Sequence, residues 1–221
     1  MDWSAHFAGD AVIASLLTPP RLYTATEAAA RSDGAPRRAG VYAWYFDTVP
    51  AAIDARQCHR SGRWTLLYCG ISPKRPPANG RAPSKSHLHT RLRTHFSGNA
   101  AGSTLRVTLG CLLEDEIGTI LRRVGSRGRL TFTNPGEQVL DRWLHAHARV
   151  VWAAHPAPWE PEDPLLANGL PLPLNIKNNP CAVLTAPLSA LRSAAKRRAE
   201  DLPLIGDSGG PRRAPTVGGG A

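Results

Sequence analysis

Arg91 and His95 stand four residues apart in HLHTRLRTHF, residues 87–96. On a helix that spacing sets a guanidinium beside an imidazole, one suited to holding a phosphate oxygen and the other to moving a proton. Arg93 competes for the first role, but Leu88, Leu92 and Phe96 make an apolar stripe, and it is Arg91 that borders the stripe with His95. Between residues 74 and 95 the six cations Lys74, Arg75, Arg81, Lys85, Arg91 and Arg93 occur without a single acid. A run of that kind leading into such a helix reads as a surface that grips a nucleic-acid backbone, with Lys74, Arg75, Arg81, Lys85 and Arg93 positioning it. Farther on, Glu160, Glu162 and Asp163 cluster around Pro161, where carboxylates in a first helical turn suit the helix dipole. A lone carboxylate in this setting also suits Mg²⁺, which keeps most of its waters and takes further ligands from phosphate.

Two more candidates lie in strand-like sequence. AGVYAWYFDTV, residues 39–49, and TLLYCGIS, residues 65–72, each hold a tyrosine close to a glycine, Tyr42 by Gly40 and Tyr68 by Gly70. Their β-branched, aromatic and leucine content predicts strands over 40–46 and 64–71, with a third over 148–155. Tyr45 reads as a packing or substrate-contact residue. Helices are expected over 10–17, stopped by Pro19 and Pro20, and after Thr24, where Thr24-x-x-Glu27 forms a capping box. Further helices are expected over 87–96, 103–113, 136–147, 161–167 and 187–202. In the last of these Leu188, Leu191, Ala195 and Leu202 face inward, and Arg192, Lys196, Arg197 and Arg198 face outward. The stretches 58–63 and 74–86 read as polar loops.

A chain of 221 residues that is 42% hydrophobic can bury a true core, and a net charge of +10 with pI near 10.2 favours a polyanionic partner. Cys58, Cys69, Cys111 and Cys181 form no CxxC pair, which argues for reduced thiols and not for a zinc cluster. With no signal-like start and no apolar run of membrane-spanning length, the expected setting is cytoplasmic. Glu114, Asp115 and Glu116 read as a solvated helix end. His145 and His147, two apart, fall on different helix faces. Trp143 and Trp152 read as core.

Gly40-Val41-Tyr42, then Tyr68-Cys69-Gly70, then Arg91 and His95, then Glu162, then Asn175 follow one another in an order that resembles the GIY-YIG nucleases. The two half-motifs are set farther apart than in that family and Arg91 lies farther beyond the second, but both extra lengths fall in loop-like sequence, where insertion costs little. Cys69 stands where the family usually has an aliphatic residue. The resemblance covers residues 39 to about 179 and implies an α/β fold, a small mainly antiparallel three-stranded sheet flanked by helices. Residues 1–38 would be an N-terminal helical extension, 39–180 the nuclease-like domain, 181–205 a C-terminal basic helix and 206–221 a disordered tail. It further implies hydrolysis of phosphodiester bonds by an endonuclease that uses Mg²⁺ or Mn²⁺, with nucleic acid as partner and DNA preferred to RNA. Tyr42 would be the general base, Tyr68 would orient water or phosphate, Arg91 would neutralise developing charge and His95 would assist proton transfer. Glu162, followed by Leu165 and Leu166 as in the family's acidic helix, would hold the metal, and Asn175, otherwise a turn residue, would support the site. The alternative is a nucleic-acid-binding protein that keeps the scaffold without cleaving.

Overall fold

The computed structural model describes residues 3–79, 84–177 and 179–206. Arg81, and all but Gly206 of the tail expected to be disordered, lie outside the described residues. Three short helices open the chain, α1 (Trp3–His6), α2 (Ala11–Leu17) and α3 (Ala25–Ala28). Asp10 caps α2 by accepting from the amides of Val12 and Ile13, and the expected capping box is formed at α3 by Thr24 and Glu27.

The strands that follow are β1 (Gly40–Phe46), β2 (Arg60–Ser61) and β3 (Trp64–Ser72). After them come α4 (Leu88–Ser97), α5 (Thr104–Leu112), α6 (Glu114–Ile117), β4 (Arg122–Val124), β5 (Arg129–Thr131), α7 (Thr133–His147), β6 (Ala148–Ala154), α8 (Trp159–Ala167) and α9 (Ala182–Asp201). The main sheet has four strands in the order β2-β3-β1-β6, every pair antiparallel. It therefore has one strand more than the three expected. The extra one, β2, pairs Arg60 with Thr65 and Ser61 with Trp64 at the edge of β3, and two residues are too few for alternation to show in sequence. A separate two-stranded sheet, β4 with β5, was also unexpected; its turn holds Gly125 and Gly128, both at positive φ.

β1 is the central strand and is buried along its whole length, which its unbroken aromatic and aliphatic run requires. Tyr42, Trp44 and Phe46 point into one core with Leu88, Leu92 and Phe96 of α4, Leu105 and Leu109 of α5, Leu140 and Leu144 of α7, and Leu188 and Ala195 of α9. Val41, Ala43 and Tyr45 point the other way, against Trp3 of α1, Ile13, Leu16 and Leu17 of α2, and Leu165 and Leu166 of α8. Each fully buried Leu or Phe in these layers contributes roughly 1.5–3 kcal/mol of transfer free energy. Tyr45 packs: its hydroxyl donates to the Leu16 carbonyl at 2.7 Å on the face away from Tyr42.

α4 is as expected, its Leu88, Leu92 and Phe96 stripe buried. The start of α9 differs, at Ala182 and not Pro187; the proline sits inside the helix, in its exposed early turns, where Val183 is 85% exposed. The acidic stretch is more than a solvated end, because Glu114 of α6 forms an ion pair with Arg198 of α9. All four cysteines are free thiols, and among the described residues no helix is long and apolar enough to cross a membrane.

Candidate active site

Across the β1–β3 ladder Tyr42 faces Gly70 and Trp44 faces Tyr68, so the two tyrosines are diagonal neighbours with ring centroids 6.4 Å apart. A bulge makes this possible. The register steps from Trp44↔Tyr68 to Tyr45↔Leu66, leaving Leu67 unpaired in the ladder and letting both Leu67 and Tyr68 join the Tyr42 core. The glycines make room. A Cβ on Gly70 would lie 2.6 Å from the Tyr42 hydroxyl oxygen, and one on Gly40 would lie 2.6 Å from Leu88 Cδ1, at the start of α4.

α4 brings Arg91 and His95 onto Tyr42. Arg91 Nε donates to the Tyr42 hydroxyl at 3.3 Å and Arg91 Nη1 donates to the Gly102 carbonyl at 3.0 Å. His95 is fully buried, with Nε2 2.9 Å from Tyr42 Oη and Nδ1 2.7 Å from Ser103 Oγ. Ser103 is also the N-cap of α5, accepting from the Arg106 amide. Burial holds the His95 pKa well below its usual range, with Arg91 and Arg106 adding to the effect, so the ring is neutral. Burial, and next the neighbouring Tyr68, hold the Tyr42 hydroxyl well above the usual phenol range while Arg91 pulls the other way. Tyr42 is therefore protonated at rest.

Behind the histidine lies a charge network that sequence reasoning missed. Arg106 is fully buried and pairs with Glu137 at 2.6 Å and Asp141 at 2.8 Å. Its Nη1 also donates to the carbonyls of His95 and Phe96, tying down the last turn of α4. Glu137 in turn accepts from the amides of Ala100 and Phe132. A signal existed in TLRVTLGCL, a helix rich in apolar residues and threonine whose one charged residue is an arginine in the stretch that buries, Leu105 to Cys111. The Ser103–His95 contact left no such trace, since it joins two elements.

Glu162, Asn175, Tyr42, Tyr68 and Arg91 line one cleft of about 900 Å³; His95 stands behind Tyr42. Burial pushes the Glu162 carboxyl up to about 7, with Asp163 adding and Arg75 opposing. Its side chain makes no hydrogen bond or ion pair among the described residues, whereas Asp163 pairs with Arg75 and Glu160 is exposed, 4.0 Å from His155. Asn175 accepts from the Cys69 amide and donates to the Cys69 carbonyl, both at 2.8 Å, holding the residue between Tyr68 and Gly70. Of the expected phosphate-gripping cations, Lys74 and Arg75 line the cleft. Lys85 and Arg93 are exposed away from it, on the loop and on the outer face of α4. Lys177, Arg192 and Lys196 also line it; Arg192 thus turns onto the cleft, where the helix periodicity had put it outward.

Among the described residues no group of three His, Cys, Asp or Glu could hold a metal ion. The cleft carboxylate left without an ion pair among the described residues is Glu162, next to Asp163, which is held by Arg75. That fits Mg²⁺ or Mn²⁺, which would complete its shell from water and a substrate phosphate.

Neither the curated proteins nor the solved structures hold a match to this chain. The family model of the GIY-YIG catalytic domain matches residues 40–197, from the first residue of β1 into α9. That span holds both tyrosines, the α4 pair, the α8 carboxylate and the asparagine clamp, and it covers well over half of the sequence: the chain belongs to the GIY-YIG catalytic domain family, a family of nucleases acting on nucleic acid.

Proposed function

We propose that the protein is a divalent-metal-dependent endonuclease that hydrolyses phosphodiester bonds, with DNA as its substrate. The observation that carries this reading is the Tyr42 hydroxyl, bonded at once to His95 Nε2 and Arg91 Nε beside the Glu162 carboxylate.

With the imidazole proton assigned to Nδ1, where it donates to Ser103 Oγ, His95 Nε2 is an acceptor for the Tyr42 hydroxyl proton. Arg91 Nε donates to the same oxygen, whose other neighbours on the cleft side are the Tyr68 hydroxyl and the cleft itself. A water bonded there gives its proton to Tyr42 as Tyr42 passes its own to His95, so the nucleophile is activated although the phenol itself is held protonated. Arg91 offsets charge that develops on the phosphate, and Tyr68 orients the phosphate or the water. Glu162 would hold a divalent cation, which would supply positive charge to polarise the phosphodiester. Asn175 keeps the 68–70 backbone in register.

The test is incubation of purified protein with labelled DNA and RNA, with Mg²⁺, Mn²⁺ or EDTA. Cleavage of DNA with either cation and none with EDTA is expected. Salt-dependent binding without cleavage in any arm would establish the non-catalytic binder, and cleavage of RNA alone would overturn the substrate.

A further inference from the structure

The cleft holds six cationic side chains, Lys74, Arg75, Arg91, Lys177, Arg192 and Lys196, against the carboxylates of Glu162 and Asp163. Three of the cations stand at the catalytic end or beside α8: Arg91 is bonded to Tyr42 and Gly102, Arg75 is paired with Asp163, and Lys74 adjoins it. Of the other three, Arg192 and Lys196 come from α9, which the reaction above does not use, and Lys177 follows Asn175 by two residues.

Arg192 is unlike the other arginines near it. Arg106 has Glu137 and Asp141, Arg123 donates to the carbonyls of Ala199 and Leu202, and Arg198 has Glu114. Arg192 is half-buried, its Nε is sealed from solvent without an acceptor, and it makes no ion pair among the described residues. Burial pushes its pKa down from the usual value. A desolvated cation without a partner is unfavourable, and Lys196 one turn on adds like-charge repulsion along the same helix face. An anion seated between them would relieve both.

The helix that carries them is fixed. Leu188, Ala195 and Ala199 are buried, Arg123 bonds the last carbonyls of α9, and Ile205 beyond it bonds the backbone of Arg123 and Gly125. Arg192 is thus presented from a rigid wall of the cleft, and this site does not wait on a loop to close.

We propose that Arg192, with Lys196 and Lys177, forms a phosphate subsite that grips a backbone phosphate of the nucleic acid other than the one being cut. The inference rests on the nucleic-acid reading above. It gives α9 a part in substrate binding, in place of a basic appendage.

The test uses the full chain in EDTA, so that binding is read without cleavage, with a DNA oligonucleotide titrated over a range of salt. Arg192→Gln is expected to weaken binding at least fivefold and to lower the log-log salt slope by about 0.9 for a duplex or about 0.7 for a single strand. Arg192→Lys should keep the slope. Lys196→Gln, at an exposed position where folding is not at issue, should lower the slope as well. Unchanged affinity and slope in Arg192→Gln and Lys196→Gln, against a wild type that binds, overturn the subsite and leave the nuclease reading intact. Weaker binding with an unaltered slope also overturns it, since that is a structural effect. A wild type that binds no nucleic acid overturns both.

Discussion

Tyr42 Oη and His95 Nε2 are 2.9 Å apart inside the protein, one group held protonated and the other held neutral by the same burial. Neither is a competent base alone in the cleft: the phenol has its proton, and the imidazole does not line the cavity.

Tyr42→Phe and His95→Gln should therefore each reduce the single-turnover cleavage rate by about 10²–10⁴-fold, the usual range for a positioned acid or base. Because the two act as one unit, the double variant should be scarcely slower than the worse single one. Losses that multiply in the double variant would mean independent roles.

Glu162→Gln preserves size and removes the charge, so cleavage in Mg²⁺ should collapse while DNA binding in EDTA is kept or tightened through reduced repulsion of phosphate. Glu160→Gln, on the exposed side of α8, is the control and should cut like wild type. The reverse pattern would move the metal ligand by half a turn.

The buried pair at Arg106 predicts a stability effect at a distance from the cleft. Glu137→Gln leaves the guanidinium partly uncompensated and also weakens the acceptor of the Ala100 and Phe132 amides. Chemical denaturation should show a loss of about 3–5 kcal/mol. A loss under 1 kcal/mol would mean that Asp141 and the α4 carbonyls satisfy Arg106 by themselves.

His95 also predicts how stability follows pH. Its folded-state pKa is lowered, so below about 6.5 the unfolded chain takes up a proton that the folded protein refuses, and stability falls as pH falls. One such group accounts for at most about 1.4 kcal/mol per pH unit. Glu162, raised to about 7, works in the opposite sense over neighbouring pH values. It is common to wild type and to His95→Gln, so the gap between their stability curves, measured from pH 7 to 5, isolates the histidine. In that comparison wild type should lose more; parallel curves would show that His95 takes up its proton without unfolding.

The main site was legible because its carriers have strong periodicity. The Leu88, Leu92 and Phe96 stripe decided between Arg91 and Arg93, and Arg93 is indeed exposed while Arg91 reaches Tyr42. β1 and β3 announced themselves by unbroken runs of strand formers. What stayed hidden was either too short, as with the two residues of β2 and the three-residue strands of the small sheet, or lay in contacts between distant segments. Ser103 with His95 and Arg106 with Glu137 are of the second kind. Arg192 shows a limit of helix-face reasoning: charge suggested water, whereas the tertiary neighbour is a cleft.

Asn175 has one more effect. By occupying both the amide and the carbonyl of Cys69 it does at one point what a neighbouring strand would do, on the side of β3 that β2 covers only at Thr65 and Trp64. An open strand edge invites another chain to pair with it. With Cys69 held by Asn175 and the Leu67 carbonyl accepting from the Leu174 amide, the chain's own 174–175 segment stands in for a strand beside this part of β3, and the tyrosine side of the cleft is bordered by backbone already satisfied.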